Sequence, residues 1–473
     1  MAKDKFYIST AIDYVNARPH VGHAFEKVLA DALARWNRLN GKDVFFLTGV
    51  DENAQKNVQA AEKAGMPVKE FIDKNAGYFL ELCKKLDISQ DEFVRTTAKE
   101  HAVVVNKIIK KMIDKGDIYK SKYEGLYCIG CEEYLQESEL INGKCKDHNK
   151  APELRKEEAY FFRLSKYKEE LQKIIPKYVV PESRVHEVLN RVNEELKDIC
   201  ISRYKATWGI DFPGDEDFKI WVWVDALINY ISGLKDKEKT YWPAQLHVVG
   251  KGINWFHSVI WPAMLLSAGY KLPEKLLVHG YLTTEGKKMS KSLGNVIDPL
   301  DLLNKYQTDT LRYSLLRCSV FDDSDFSEEL IIERHNNELA NKLGNLISRV
   351  STLAEKYGIE KSKPALPIDK TLKEVESHFN NYELHKVLEV IFTYIDKANE
   401  YIQEKKPWET KDAKVLYELC TAIKNIAILI SPFIPSTAEK IAKTFNFKIS
   451  LDELDKPLKE SKISKSEILF QKI

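Results

Sequence analysis

Three lysines and two serines crowd one short stretch, Gly286-Lys287-Lys288-Met289-Ser290-Lys291-Ser292-Leu293-Gly294-Asn295. Charged runs between glycines are most often solvated loops. The chemical alternative is a moving loop that carries cations to a phosphate-rich substrate, with Gly286 and Gly294 as hinges. A second candidate, Arg18-Pro19-His20-Val21-Gly22-His23, falls where a strand pattern turns into a helical one. Unpaired backbone N–H groups and the helix dipole favour an anion there. Both imidazoles can reach it, and Gly22 lets a ligand approach closely. His-x-Gly-His alone is a weak motif, but it follows the first strand, at the carboxyl edge where parallel sheets bind ligands.

Cys128-Ile129-Gly130-Cys131 and, after a gap of thirteen residues, Cys145-Lys146-Asp147-His148 offer three thiolates and one imidazole. That set closes a tetrahedral zinc site with no open position, so the metal is expected to be structural. The remaining Cys83, Cys200, Cys318 and Cys420 are scattered, which is no disulfide framework and points to a reducing compartment. Tryptophans 208, 221, 223, 242, 255 and 261 cluster, mostly as core material. Trp223, Ala226 and Tyr230 differ, because a strand gives way to a helix there and the three can line one cavity. Gly250-Lys251-Gly252-Ile253 leads through a second strand-to-helix turn to His257.

These groups need a scaffold. KFYIST and DVFFLTGV read as buried strands, and between them Val21, Phe25, Val28, Leu29, Leu33, Trp36 and Leu39 follow helical spacing. Helices are predicted over 51–64, 67–86 and 101–115, with EFVRTT a strand between the last two. Strands alternating with helices imply a parallel sheet wound on both sides in Rossmann style. The pattern breaks between residues 118 and 211, which contain the Cys/His group and a helical stretch over 183–197. Strand signals resume with FKIWVWVDAL, LHVVG and LLVHGYLT. From residue 327 on, nearly everything reads as amphipathic helix.

The expected organisation is therefore a Rossmann first half over 1–117, a connective insertion with a zinc knuckle over 118–211 and a second half over 212–270. A linking domain with the lysine loop follows over 271–326, then an all-α helical bundle over 327–473. Length (473 residues), 44% hydrophobic and 11% aromatic content suit a folded chain of several domains. Lys+Arg 72 against Asp+Glu 71 leaves +1, so a nucleic-acid site must come from local clustering. No apolar run reaches the ~18 residues of a membrane span and no apolar leader opens the chain, so a cytoplasmic protein is expected.

Taken in order, these stretches resemble the class I aminoacyl-tRNA synthetases, and among them the methionine-specific family. His20-Val21-Gly22-His23 is similar to the HIGH signature, and Lys288-Met289-Ser290-Lys291-Ser292 matches KMSKS in full. The similarity extends through FFLTGVDE, VWVDALINYISG, FHSVIWPAML, VHGYLTTEGKKMSKSLGNVIDP, NKLGNLISR and Lys406-Pro407-Trp408. The resemblance implies an ATP-dependent ligase, with Mg²⁺ accompanying the ATP. It joins L-methionine to ATP as methionyl-adenylate, then transfers methionine to the terminal adenosine of tRNA(Met). His20, His23, Lys288 and Lys291 are then the catalytic group. Gly22, Lys251, Val278, His279, Gly280 and Tyr281 complete the ATP site. Ala11, Ile12, Tyr14, Asp51, Trp223, Ala226, Tyr230, Ile253 and His257 take methionine, Asp51 holding the ammonium. Asn345, Arg349, Pro407 and Trp408 read the anticodon. The 118–211 stretch is too short for the editing insertion of the isoleucine, valine and leucine enzymes.

The chain also departs from the family. Asp51-Glu52-Asn53-Ala54 stands where Asp-x-His-Gly is usual, Gly252 replaces an Asp expected to contact ribose, and Asp13 replaces a Pro or Tyr. It ends without the dimerising module of some relatives, so a monomer is expected.

Overall fold

The computed structural model describes residues 3–473 apart from 131–132, 136–139, 147–148, 195, 289–294, 455 and 459–462. Its centre is a parallel sheet in the order Val179–Val180, Lys275–His279, Leu246–Gly250, Lys5–Thr10, Asp43–Asp51, Glu92–Arg95. The two-residue strand Asp13–Tyr14 continues the edge of Lys5–Thr10 by pairing with Val50 and Asp51. Asp43–Asp51 is buried at every position after the first, as expected when helices cover both faces. The chain starts mid-sheet, winds outward through Asp43–Asp51 and Glu92–Arg95, and returns on the opposite side with Leu246–Gly250. The winding direction thus reverses between Lys5–Thr10 and Leu246–Gly250, which opens a crevice at their carboxyl ends.

The intervening stretch builds a four-stranded sheet in which Ile118–Cys128 pairs antiparallel with Glu153–Phe162. It then returns to the main body through the helices Lys168–Tyr178 and Glu182–Glu194. Between these helices Val179–Val180 joins the parallel sheet beside Leu276 and Leu277. The apolar run FKIWVWVDAL splits. Asp215–Ile220 is a strand of a separate three-stranded antiparallel sheet, and Val222–Ser232 is a helix buried at every position. A continuous apolar run fits a buried helix as well as a buried strand, so periodicity could not place that break. Helix 51–64 in turn begins only at Gln55, because Asp51 is still paired in the sheet with Tyr14.

From Glu328 to Phe445 the chain is mostly helical, with Asn345–Tyr357, Leu384–Lys405 and Ala413–Ile430 as its main members, and the segment after Phe445 is largely irregular among its described residues. One apolar core runs from the helix Val21–Leu39 into these helices. Trp36 stacks flat on Phe379 at 4.2 Å across that boundary.

Candidate active site

The crevice is headed by the start of Val21–Leu39. His20 caps this helix, its Nδ1 accepting the Gly22 N–H at 3.1 Å, while His23 Nδ1 accepts the His20 N–H at 3.0 Å. The arrangement is a capping box made of two histidines. Because each Nδ1 accepts a backbone N–H, the ring proton of each neutral imidazole sits on Nε2. The rings stack at 3.7 Å, and His23 meets the Phe79 ring edge to face. Gly22 is needed here, since a Cβ would come within 2.9 Å of the His20 ring.

The segment after the lysine loop docks on this helix start. Val21 N–H donates to the Ile297 carbonyl at 3.0 Å, and Arg18 pairs with Asp298 at 2.6 Å while lying over the Tyr78 ring. Before the loop, Thr283 and Thr284 pair antiparallel with Lys288 and Lys287 across a two-residue reversal. Glu285 and Gly286 both have positive φ there, 53° and 69°, as a tight hairpin turn requires. Gly286 therefore serves the turn. Lys291, Gly294 and the side chain of Lys288 lie outside the described residues.

A cavity of about 420 Å³ opens at the switch point, lined by His20, Gly22 and His23 on one side and Gly250, Gly252, His279, Gly280 and Tyr281 on the other. Val278 is fully buried in the strand beneath. Lys251 is not in the lining; its ammonium pairs with Asp323 at 2.6 Å, over the Tyr281 ring. A Cβ on residue 252 would stand 2.0 Å from the Tyr281 hydroxyl, so Tyr281 occupies the space an Asp there would need. Sequence reasoning missed Glu26. It lines the same cavity, one carboxylate oxygen 3.0 Å from His279 Nε2 and the other without a hydrogen-bond partner among the described residues. Its only signal was a charge beside Phe25 on a helix that is buried nearly all round.

A second, smaller cavity brings together Ala11, Ile12, Tyr14, Asp51, Trp223, Ala226, Tyr230, Ile253 and His257, every residue expected around methionine. Trp223 stacks on Phe256 at 3.7 Å, and Tyr14 meets Trp223 edge on. His257 Nδ1–H donates to the Ile253 carbonyl at 2.9 Å, so Nε2 accepts from the Tyr230 hydroxyl at 2.7 Å. Burial pushes the His257 imidazole down to about 4, which keeps it neutral. Asp51 is buried at the carboxyl end of its strand, where its carboxylate accepts the Asn53 N–H at 3.2 Å. The Asn53 side chain donates to Asp225 at 3.0 Å and to the Thr96 carbonyl at 3.2 Å. Asn53 thus ties the Asp51 strand to the helix carrying Trp223 and Tyr230. Burial holds the Asp225 carboxyl well above the usual range, although Asn53 opposes this.

In the helical part, Arg349 and Trp408 share a pocket of about 440 Å³ with Ser348, Thr352, Leu353 and Gln403. Trp408 is 39% exposed, an unusual position for a tryptophan, and the buried Pro407 fixes the turn that presents it. Asn345 is exposed one turn before Arg349, outside the pocket lining. In the insertion, Cys128 and Cys145 are buried together with Leu135, an environment that fits two metal thiolates. Cys131 and His148 lie outside the described residues.

Known proteins match this arrangement closely. The family profile described as tRNA synthetases class I (M) covers residues 6–145 and 131–351, and that of the anticodon-binding domain of tRNA ligase covers 367–473. The chain belongs to the class I aminoacyl-tRNA synthetases. The methionine–tRNA ligase of Clostridium acetobutylicum is 42% identical over 100% of this chain and 78% of its own length. That of Brucella suis is 40% identical over 93% of this chain and 92% of its own. The structure of Mycobacterium tuberculosis methionyl-tRNA synthetase bound by methionyl-adenylate superposes with a TM-score of 0.95 at 35% identity, covering 99% of this chain and 100% of that one. Within its class, the chain is a member of the methionine–tRNA ligase family.

Proposed function

We infer that the chain activates L-methionine with ATP, forming methionyl-adenylate and pyrophosphate, and then passes methionine to the terminal adenosine of tRNA(Met). One observation carries the reading: Ala11, Ile12, Tyr14, Trp223 and Ile253 line both cavities, so the apolar pocket opens directly onto the anion site. An amino acid with its ammonium at Asp51 and its side chain among Trp223, Tyr230 and His257 presents its carboxylate at that shared wall. The carboxylate is ionised at neutral pH, so the attack on the α-phosphate needs no general base. What the step needs is alignment and neutralisation of a crowded polyphosphate. His20 and His23 supply Nε2–H donors at a helix start, and Lys288 and Lys291 supply cations. Removing one such contact costs about 100-fold or more in rate, so Lys291→Ala should cut adenylation by that factor.

The nucleoside is assigned to Gly250, Gly252, His279, Gly280 and Tyr281, with Lys251 and Val278 supporting from behind, and Mg²⁺ arrives with the ATP. Cys128, Cys131, Cys145 and His148 would hold one zinc ion, whose role is to staple the insertion. Arg349 and Trp408 are assigned to the anticodon, because unstacked RNA bases pack on aromatic and guanidinium planes; Asn345 and Pro407 flank them. No helix among the described residues is long and apolar enough to cross a membrane. ATP–pyrophosphate exchange across the twenty amino acids tests the function. Exchange driven by methionine alone is expected, and exchange driven by another amino acid, or by none, overturns the reading.

A further inference from the structure

Beneath the two stacked histidines lies a charged pair that the adenylation chemistry above does not use. Lys27, one turn along the helix from His23, is fully buried, and its ammonium meets Asp13 Oδ2. The other oxygen of that carboxylate, Oδ1, stands 3.8 Å from His23 Nε2, the nitrogen that carries the ring proton. Asp13 is 9% exposed and lines the anion cavity. A carboxylate therefore stands in the wall of a pocket assigned to a triphosphate, beside the donor meant for it.

Left alone, that carboxylate would act twice against the substrate. It would repel the phosphates, and it would attract His23 Nε2–H to itself. Lys27 is placed to prevent both. Desolvation is the largest influence and acts to strip its proton, but Asp13, first among the opposing groups, together with Cys83 and Glu26 holds the Lys27 pKa above its ordinary value. Of the other charged neighbours among the described residues, Glu26 adds negative charge that favours the Lys27 ammonium while one of its oxygens faces His279, and Arg18 pairs with Asp298. The Cys83 thiol, coupled to Lys27, is pushed by burial up to about 12 and stays uncharged.

We propose that Lys27 is a positioning residue of the adenylation step, which neutralises Asp13 so that His23 Nε2–H is left for the phosphates of ATP. The proposal rests on the assignment of His20 and His23 to the ATP phosphates.

The test is steady-state ATP–pyrophosphate exchange by the full chain, with ATP varied at saturating methionine. Lys27→Met should raise the KM for ATP about tenfold or more, the scale of one uncompensated charge at this range, and leave the KM for methionine unchanged. The double variant Asp13→Asn/Lys27→Met removes both charges and should return the KM for ATP to within about threefold of wild type, since replacing a whole buried pair is often nearly neutral. A wild-type KM for ATP in Lys27→Met overturns the proposal. So does a double variant impaired as severely as Lys27→Met, because Lys27 would then be a packing residue. If Lys27→Met does not fold, the double variant, with no unpaired buried charge, decides by the same criterion. His23→Asn separates the two levels. Wild-type exchange in His23→Asn removes the ATP-site assignment itself, whereas lost exchange there with an unaffected Lys27→Met removes only the role of Lys27.

Discussion

The Tyr230–His257 pair shows how a single hydrogen bond shapes an amino-acid pocket. With Nδ1–H committed to the Ile253 carbonyl, His257 can only accept at Nε2, and Tyr230 is the donor. Tyr230→Phe leaves that buried acceptor unmatched at about 1–3 kcal/mol, so the KM for methionine should rise roughly tenfold while the KM for ATP holds. Methionine-dependent exchange kinetics would show it. The same burial makes stability depend on pH. Burial pushes His257 and His101 down to about 4, whereas an unfolded imidazole titrates near about 6.5. Between those values the unfolded chain binds more protons, so stability is flat above about pH 6.5 and falls as pH drops toward about 4. Denaturation midpoints at pH 7.5, 6 and 5 should decrease in that order; a constant midpoint would mean that the two rings are not held neutral.

Among the elements, the turn from Leu384–Lys405 into Pro407–Thr410 is built to expose a tryptophan. Lys406 adopts a left-handed conformation (φ 43°), Pro407 opens the next helix, and Trp408 is turned outward beside Arg349. Stacking one base on an aromatic ring contributes about 1–3 kcal/mol. Trp408→Ala should therefore reduce charging of tRNA(Met) at limiting tRNA by about tenfold or more, and reduce exchange without tRNA far less. Equal losses in both assays would place Trp408 in the fold and not in recognition.

At the scale of the molecule, the catalytic and helical halves are joined through Arg312. Its guanidinium is fully buried and pairs with Asp31, on the same helix as His20 and His23, at 2.7 Å. It also donates to the carbonyls of Leu86, Pro432 and Phe433. Burial would raise the Asp31 pKa, but Arg312 and Arg35 together lower it. Arg312→Met would leave Asp31 with Arg35 and Ser89 as its remaining partners and would remove the donor from the buried carbonyls of Leu86, Pro432 and Phe433, a change that costs about 1–3 kcal/mol. Chemical denaturation should show the loss in one cooperative transition if the two halves unfold together. A second, separate transition would show that Arg312 is what couples them.

The parallel sheet, the helix start bearing His20 and His23, and the nine residues that share the smaller cavity could be read before any coordinates. These depend on local signals: apolar periodicity, strand-to-helix turns, and motifs whose order along the chain matches a family. The winding rule then brings the carboxyl ends of distant strands to one crevice. The pairs Asp13–Lys27, Glu26–His279, Asn53–Asp225 and Asp31–Arg312 could not be read in that way. Each joins polar groups that a helical or loop pattern would assign to solvent. Whether a charge is hydrated or buried against a partner depends on what packs over it, and much of that covering comes from segments far away in the sequence. In the apolar run through Trp221 and Trp223 the change from strand to helix could be read near Trp223, but only its neighbours set the boundary, with the strand ending at Ile220 and the helix opening at Val222.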